Sequence, residues 1–183
     1  AGRFGLGKVT QTQISAAIDR ATKDGALAPR TFIDKRGAES GGFTAASNID
    51  NEQRLLRAEA NGRGKVPAIQ SPAQAAKAVA RAAISSDYPW TADQREAAKA
   101  LLTSQNRVTA VQGYAGTAKT TTVLATLAHE ATAQGHKITA LAPTASAART
   151  LGEALGTRGE TVAKHLMRQH PIASNGRSVW IVD

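Results

Sequence analysis

The chain has 183 residues, enough for one domain or a domain and a half with a buried core. Its 23 lysines and arginines oppose 14 acidic residues, and the net charge of +9 favours a polyanionic partner such as nucleic acid. The absence of cysteine excludes a disulfide scaffold, a thiolate metal site and a cysteine nucleophile. No apolar run approaches the roughly 20 residues of a membrane span, so we expect a soluble protein without membrane insertion.

The first third of the sequence predicts a helix, a hairpin and a second helix. Residues 1–8 are basic and glycine-rich, as in a linker or disordered lead-in. Apolar residues then recur at helical spacing from Thr12 until Gly25, which is placed to end the helix. An extended stretch at 28–34, a loop at 35–42 and a helix at 46–60 follow. This order resembles a winged-helix module.

The segment Ser71-Pro72-Ala73-Gln74 predicts the start of a third helix. It combines a serine at the N-cap, a proline at the first helical position and a glutamine whose side chain can bond to the serine N–H. This helix is predicted to reach about residue 85. The break at 87–90 is the predicted domain boundary. It separates a mainly helical, winged-helix-like N-terminal domain at 1–90 from a second domain at 91–183.

Beyond the boundary, helices alternate with short apolar strands. The predicted helices span 91–102, 118–133 and 145–155, and the predicted strands span 107–112, 137–142 and 178–183. Strands that alternate with helices of this length indicate a parallel sheet with helices on both faces. The fold class is therefore α/β.

A glycine-rich turn lies between the predicted strand 107–112 and the helix that follows it. It reads Gly113-Tyr114-Ala115-Gly116-Thr117-Ala118-Lys119-Thr120, which fits the phosphate-loop pattern G-x-x-x-x-G-K-[ST] except at Ala118. Backbone N–H groups of such a loop surround nucleotide phosphates, the lysine neutralises the β- and γ-phosphates, and the threonine hydroxyl ligates Mg²⁺. The alternative is a strand-to-helix turn that contains a lysine by chance.

Ala118 stands where the phosphate-loop pattern has glycine. A helical φ suits alanine, so the turn can form if Ala118 already starts the helix. The methyl group would lie close to bound phosphates. We therefore expect nucleotide binding to persist with reduced affinity.

Asp183 ends the apolar strand 178–183, about 60 residues after the loop. An aspartate in this position holds Mg²⁺ in P-loop nucleotide hydrolases. The sequence thus predicts catalytic roles for Lys119 and Asp183 and metal ligation by Thr120 and Asp183. The alternative is an aspartate that merely starts a turn.

Four segments in this order resemble a superfamily-one DNA helicase of the RecD-like branch. They are Thr91-Ala92-Asp93-Gln94-Arg95, the run from Val111 to Thr121, Leu141-Ala142-Pro143-Thr144-Ala145-Ser146, and Trp180-Ile181-Val182-Asp183. The nearest resemblance is to the helicase region of conjugative relaxase-helicases of the TraI/TrwC type. It is specific over 91–183 and looser over 43–68.

The resemblance implies roles for further residues. Gln94 would read the adenine, although Thr91 and Gln94 also form a capping box. Thr121 would join Gly113, Gly116, Ala118, Lys119 and Thr120 in the nucleotide site. Single-stranded DNA would be contacted by Pro143, Thr144, Ser146 and Thr161; an ordinary helix cap is the alternative for Thr144. His165, which has no triad signature around it, is interpreted as structural.

The resemblance further implies a RecA-like P-loop fold, ATP and Mg²⁺ as cofactors, and a bacterial cytoplasmic protein. Its partners would be single-stranded DNA, the rest of a longer relaxase-helicase chain, and a type IV secretion apparatus. Because no second motor lobe or glutamate after Asp183 is in the sequence, we expect little turnover from the isolated fragment. Two alternatives remain, a vestigial module that binds single-stranded DNA or protein, and a small nucleotide kinase.

Stacking on nucleic-acid bases would have to come from few side chains, since aromatic residues make up only 4% of the sequence. Proteins that bind single strands without sequence preference stack successive bases on aromatic rings. The candidates are Phe4, Phe32, Phe43, Tyr88, Trp90, Tyr114 and Trp180.

Overall fold

The computed structural model describes residues 9–113, 118–168 and 177–183. The predicted lead-in at 1–8 lies outside this range. The chain divides into two compact units, the first ending at Asn61 and the second spanning Gly62–Asp183. In the part of the chain that the structure describes, no helix has both the length and the apolar character needed to cross a membrane.

The first unit is a hairpin that follows one helix and precedes another. Helix α1 (Gln11–Lys23) begins with a capping box from Thr10, and Gly25 follows its end with a φ of +74°. Strands β1 (Leu27–Ile33) and β2 (Glu39–Ala45) pair antiparallel, and α2 (Ala46–Asn61) follows directly. The predicted order is confirmed, but strand β2 takes up part of the segment 35–42 that was predicted as a loop.

Helix α3 (Pro72–Ile84) starts the helical part of the second unit, and α4 (Ala92–Thr103) follows. Both begin with the capping boxes that the sequence predicts, from Ser71 and Thr91. Helix α3 packs against α4 with Ala75, Ala78 and Val79 buried. Because of this packing the compact unit starts at Gly62, before α3, whereas the sequence placed the boundary at 87–90.

The second unit is α/β, with a parallel three-stranded sheet flanked by helices. Its strands are β3 (Lys137–Ala142), β4 (Gly159–Thr161) and β5 (Ser178–Val182), in the order β4-β3-β5. The helices are α5 (Ala125–Ala133), α6 (Ala145–Ala154) and α7 (Val162–Met167). The fold class predicted from the sequence is confirmed, while strand β4 was not foreseen.

The predicted strand at 107–112 is wrong. Residues 107–113 form no strand, and all of them except the half-buried Val111 are exposed. The Arg107 N–H donates to the Gly62 carbonyl at 2.9 Å instead of to a sheet neighbour. In the described sheet, none of the three strands β4, β3 and β5 pairs with this segment.

The core of the second unit is built from alanine and branched aliphatic side chains. It joins α3, α4 and α5 to the sheet and to α6; Leu102, Leu151, Val79 and Val123 are its largest fully buried side chains. Helix α6 lies so close to the start of β4 that a Cβ atom on Gly159 would collide with the Ala148 carbonyl. Only glycine fits at this position. The carboxyl ends of β3 and β5 lie side by side because the two strands pair directly, with Leu141 opposite Val182.

Candidate nucleotide site

The segment that contains the predicted phosphate loop is described at its two ends. Residues 114–117, including the predicted site residue Gly116, lie outside the described residues. Gly113 stands before this gap and Lys119 after it, and the Lys119 Nζ donates a hydrogen bond of 2.7 Å to the Gly113 carbonyl. The ammonium group therefore bridges the two ends of the loop.

Ala118 adopts a left-handed backbone conformation, with φ at +51°. The expectation that Ala118 already starts the helix is wrong, because right-handed helical geometry begins at Lys119, with φ −52° and ψ −45°. For an L-residue with a Cβ atom the left-handed region costs roughly 1–2 kcal/mol, which glycine avoids. The loop thus holds strain at the position where the pattern has glycine.

Threonines in the following turn hold the Ala118 carbonyl. It accepts hydrogen bonds from the Thr122 N–H at 3.0 Å, the Thr122 hydroxyl at 2.6 Å and the Thr121 hydroxyl at 3.3 Å. The turn Thr120–Leu124 is π-helical, with the Leu124 N–H donating to the Lys119 carbonyl. Single π-turns occur often at functional sites. These bonds stabilise the strained conformation of Ala118.

One cavity of about 440 Å³ brings together residues that the sequence assigned to separate motifs. Thr120 and Thr121 line it from the loop side, Asp183 from the end of β5, and Thr144 and Ser146 from the start of α6. Ligands of open parallel sheets bind outside the carboxyl ends of the strands. The cavity occupies this position, since Asp183 follows β5 and Thr144 follows β3 by two residues.

The oxygen atoms of the cavity suit a magnesium ion. Mg²⁺ takes one or two protein oxygens and completes its shell with waters and phosphate oxygens. Thr120 contributes a hydroxyl and Asp183 a carboxylate to the same cavity. The described residues contain no cluster of three carboxylate, histidine or cysteine side chains that would hold a metal by itself.

Three predicted site residues have a local structural role as well. The Thr144 hydroxyl accepts from the Ala147 N–H, and the Thr161 hydroxyl accepts from the Lys164 N–H, each at 3.2 Å. The side-chain amide oxygen of Gln94 (Oε1) accepts a hydrogen bond from the Thr91 backbone N–H at 2.8 Å. The capping alternatives given for Gln94 and Thr144 are confirmed, and Thr161 also caps a helix, while the roles in DNA and adenine recognition stay predictions. Gln94, Pro143 and Thr161 do not line the cavity.

Thr150 is a cavity residue that the sequence reasoning missed. It follows Ser146 by four residues on α6, a spacing that places both side chains on one face of the helix. The cavity is lined along that face by Ser146, Ala147, Thr150, Leu151 and Ala154. The four-residue spacing of Ser146 and Thr150 in a predicted helix was the sequence signal that could have placed Thr150 beside Ser146.

A second group of polar residues lies on α7 and the neighbouring strands. His165 Nδ1 is 2.7 Å from Glu160 Oε1, and Arg168 Nη1 is 2.9 Å from Glu160 Oε2. The His165 ring meets the edge of Trp180 with ring centroids 4.8 Å apart. The hydrogen bond with His165, followed by the charge of Arg168, lowers the pKa of Glu160. This cluster links β4, α7 and β5, in agreement with a structural role for His165.

The parallel sheet, the lysine-threonine loop and the cavity at the strand ends define a P-loop nucleotide-binding domain. Residues 89–183 match the family model of the AAA domain, which covers more than half of the chain. The chain therefore belongs to this helicase-like family of P-loop proteins. No curated protein matches the chain.

Proposed function

We propose that the chain is the ATP-binding part of a DNA helicase motor, which in the whole protein drives translocation along single-stranded DNA and unwinding of the duplex. The observation that carries the proposal is the shared cavity, because Thr120, Thr144 and Asp183 all face it. The order of motifs from Gln94 to Asp183 further supports a conjugative relaxase-helicase as the parent protein.

The residues of the cavity have separate chemical tasks in this proposal. The Thr120 hydroxyl and the Asp183 carboxylate would hold Mg²⁺, and the Lys119 ammonium group would neutralise the terminal phosphates. ATP provides the phosphoanhydride bond whose hydrolysis releases the free energy for movement. The Lys119 ammonium group carries three N–H donors and already donates one to the Gly113 carbonyl, so it can turn to phosphate oxygens while it stays at the end of the loop.

Contact with DNA is assigned to the exposed segment that follows β3. Pro143, Thr144 and Ser146 are exposed, and Thr144 and Ser146 also line the nucleotide cavity. The helix cap uses only a lone pair of the Thr144 hydroxyl, so its hydrogen can still be donated to a phosphate. Because Thr144 and Ser146 line the nucleotide cavity as well, a strand bound here would lie next to the nucleotide, which supports coupling between the two ligands.

Nucleotide binding is tested with the variant Lys119→Ala and a fluorescent ATP analogue. Hydrogen bonds to charged groups contribute about 1.5–3 kcal/mol, so we expect affinity to fall roughly 10- to 150-fold. Lys99→Ala is the matched control, since it removes an exposed lysine that is paired with Glu96. Equal affinities in both variants would contradict the proposed site.

A second candidate function is a vestigial motor that binds DNA or protein without hydrolysing ATP. It is favoured by the left-handed Ala118, whose methyl group adds strain to the loop. ATPase rates of the whole parent protein with and without Ala118→Gly, measured with single-stranded DNA, separate the two functions. The variant Ala100→Gly, at an exposed position of helix α4 outside the cavity, controls for added glycine flexibility. Equal and robust ATPase rates with and without Ala118→Gly would exclude the vestigial module. ATPase activity that appears only with Ala118→Gly would support it.

A further inference from the structure

One face of the hairpin β1–β2 combines an aromatic ring, a cation and hydroxyl groups. Opposite residues of an antiparallel pair share a face, and side chains alternate along each strand. The pairing of Phe32 with Ser40 and of Ala28 with Thr44 therefore puts Arg30, Phe32, Ser40 and Thr44 on the same face. We call it the Arg30/Phe32 face. Its side chains include no carboxylate.

The ring of Phe32 lies against Gly42 of the neighbouring strand. A Cβ atom at Gly42 would come within 2.5 Å of the ring atom Cε2, so the absence of a side chain there makes room for the ring. Gly42 pairs with Arg30 and is the diagonal cross-strand neighbour of Phe32, and an aromatic ring that covers a glycine of the adjacent strand is a recurrent arrangement in sheets. Phe32 remains 48% exposed, so a large part of its ring surface is open to a ligand.

The opposite face of the hairpin has a different character. It carries Pro29, Ile33, Glu39 and Phe43, so its aromatic ring shares the face with a carboxylate and with apolar side chains. Phe43 is 46% exposed, almost the same as Phe32. The two rings thus differ in their neighbours and hardly at all in their exposure.

The turn of the hairpin adds further positive charge. The Asp34 carboxylate accepts the N–H groups of Arg36 at 2.7 Å and of Ala38 at 2.9 Å, which fixes the turn. Lys35 and Arg36 are exposed in this turn. Cations thus occur both on the Arg30/Phe32 face and in the turn at the end of the hairpin.

We propose that the Arg30/Phe32 face binds single-stranded DNA, with a base stacked on Phe32 and phosphates held by Arg30 and by the basic turn. Stacking on aromatic rings together with positive charge is the chemistry by which single strands are bound. Trp90 is excluded as a platform because it is buried. The choice of DNA rests on the proposed helicase function, while the site itself shares no residue with the nucleotide cavity.

The stacking contact is tested with Phe32→Ala and the matched control Phe43→Ala. Binding of the full chain to a labelled oligothymidine is followed by fluorescence anisotropy. A stacked base contributes about 1–3 kcal/mol, so Phe32→Ala should weaken binding roughly 5- to 150-fold, whereas Phe43→Ala should leave it within about twofold. Circular dichroism spectra verify that both variants keep their secondary structure.

The seating of the ring is tested with glycine variants. Gly42→Ala displaces the Phe32 ring, while Gly41→Ala meets nothing within 4 Å. We expect weaker binding in Gly42→Ala alone. In a salt titration, Arg30→Gln should reduce the slope of log affinity against log salt by about 0.7, the loss of one phosphate contact.

The proposal is overturned if the original chain does not bind oligothymidine, if Phe43→Ala weakens binding as much as Phe32→Ala, or if oligouridine binds tenfold more tightly than oligothymidine. Binding of the ATP analogue is measured on the same variants, because it tests the proposed nucleotide site independently of the proposed DNA site. Phe32→Ala should bind the analogue like the original chain, and Lys119→Ala should not.

Discussion

The second unit buries an extended core, whereas residues 9–61 of the first unit include no buried side chain. In the first unit, the hairpin, its turn and the helix caps order the backbone through local hydrogen bonds. The second unit instead positions its cavity through long-range packing between α3, α4, α5 and the sheet. The comparison teaches that the nucleotide site depends on tertiary packing, and that the first unit offers mainly surface.

The largest expected difference between the units is in the response to truncated leucines. Leu102→Ala removes a fully buried side chain and should lower the free energy of unfolding by about 2–5 kcal/mol. Leu55→Ala removes a side chain that is 68% exposed and should change it by no more than about 0.5 kcal/mol. Urea unfolding followed by circular dichroism measures both values. A similar loss in Leu55→Ala would show that the first unit is stabilised by contacts of that leucine.

A smaller effect is expected from the buried polar contact between α5 and the segment before α3. Glu130 is 6% exposed and accepts hydrogen bonds from Gln70 at 2.5 Å and from Arg81 at 3.2 Å. Glu130→Ala leaves the buried Gln70 amide without this acceptor, so we expect a loss of about 1–3 kcal/mol.

The matched control for Glu130→Ala is Glu96→Ala, which breaks an exposed pair with Lys99. Exposed pairs contribute at most about 1 kcal/mol. Thermal unfolding of the two variants should therefore separate them clearly. If Glu96→Ala is the more damaging change, burial is not what gives the Glu130 contact its importance.

The smallest effect is confined to acidic solution and concerns Glu160. Its pKa lies below the ordinary 4.5 in the folded chain, because His165 and then Arg168 favour the ionised carboxylate. The unfolded state binds the proton first as the pH falls, so this stabilisation is present above pH 4.5 and is lost as the pH falls through the lowered pKa. Unfolding midpoints across this range should fall less steeply with acid in Glu160→Gln. Identical slopes would contradict the role of Glu160.

The sequence predicted well those features that depend on neighbouring residues. The capping boxes at Ser71 and Thr91 and the ends of the helices follow from side chains within one turn, and strands β3 and β5 follow from short apolar runs. The segment 107–112 has a similar apolar run, but a strand also needs a partner. None of the strands of the described sheet pairs with this segment, and pairing between distant segments cannot be deduced from a local pattern.

For the candidate site, the sequence by itself determined the identity of the chemical groups. The lysine and threonine of the loop, the aspartate after an apolar strand and the α/β class all come from short-range pattern. Only the tertiary structure decided that Thr144, Ser146 and Thr150 share a cavity with Asp183, and that Ala118 is held in a left-handed conformation. Distances between strands and the φ of one residue depend on packing across the whole sheet, which local sequence does not encode.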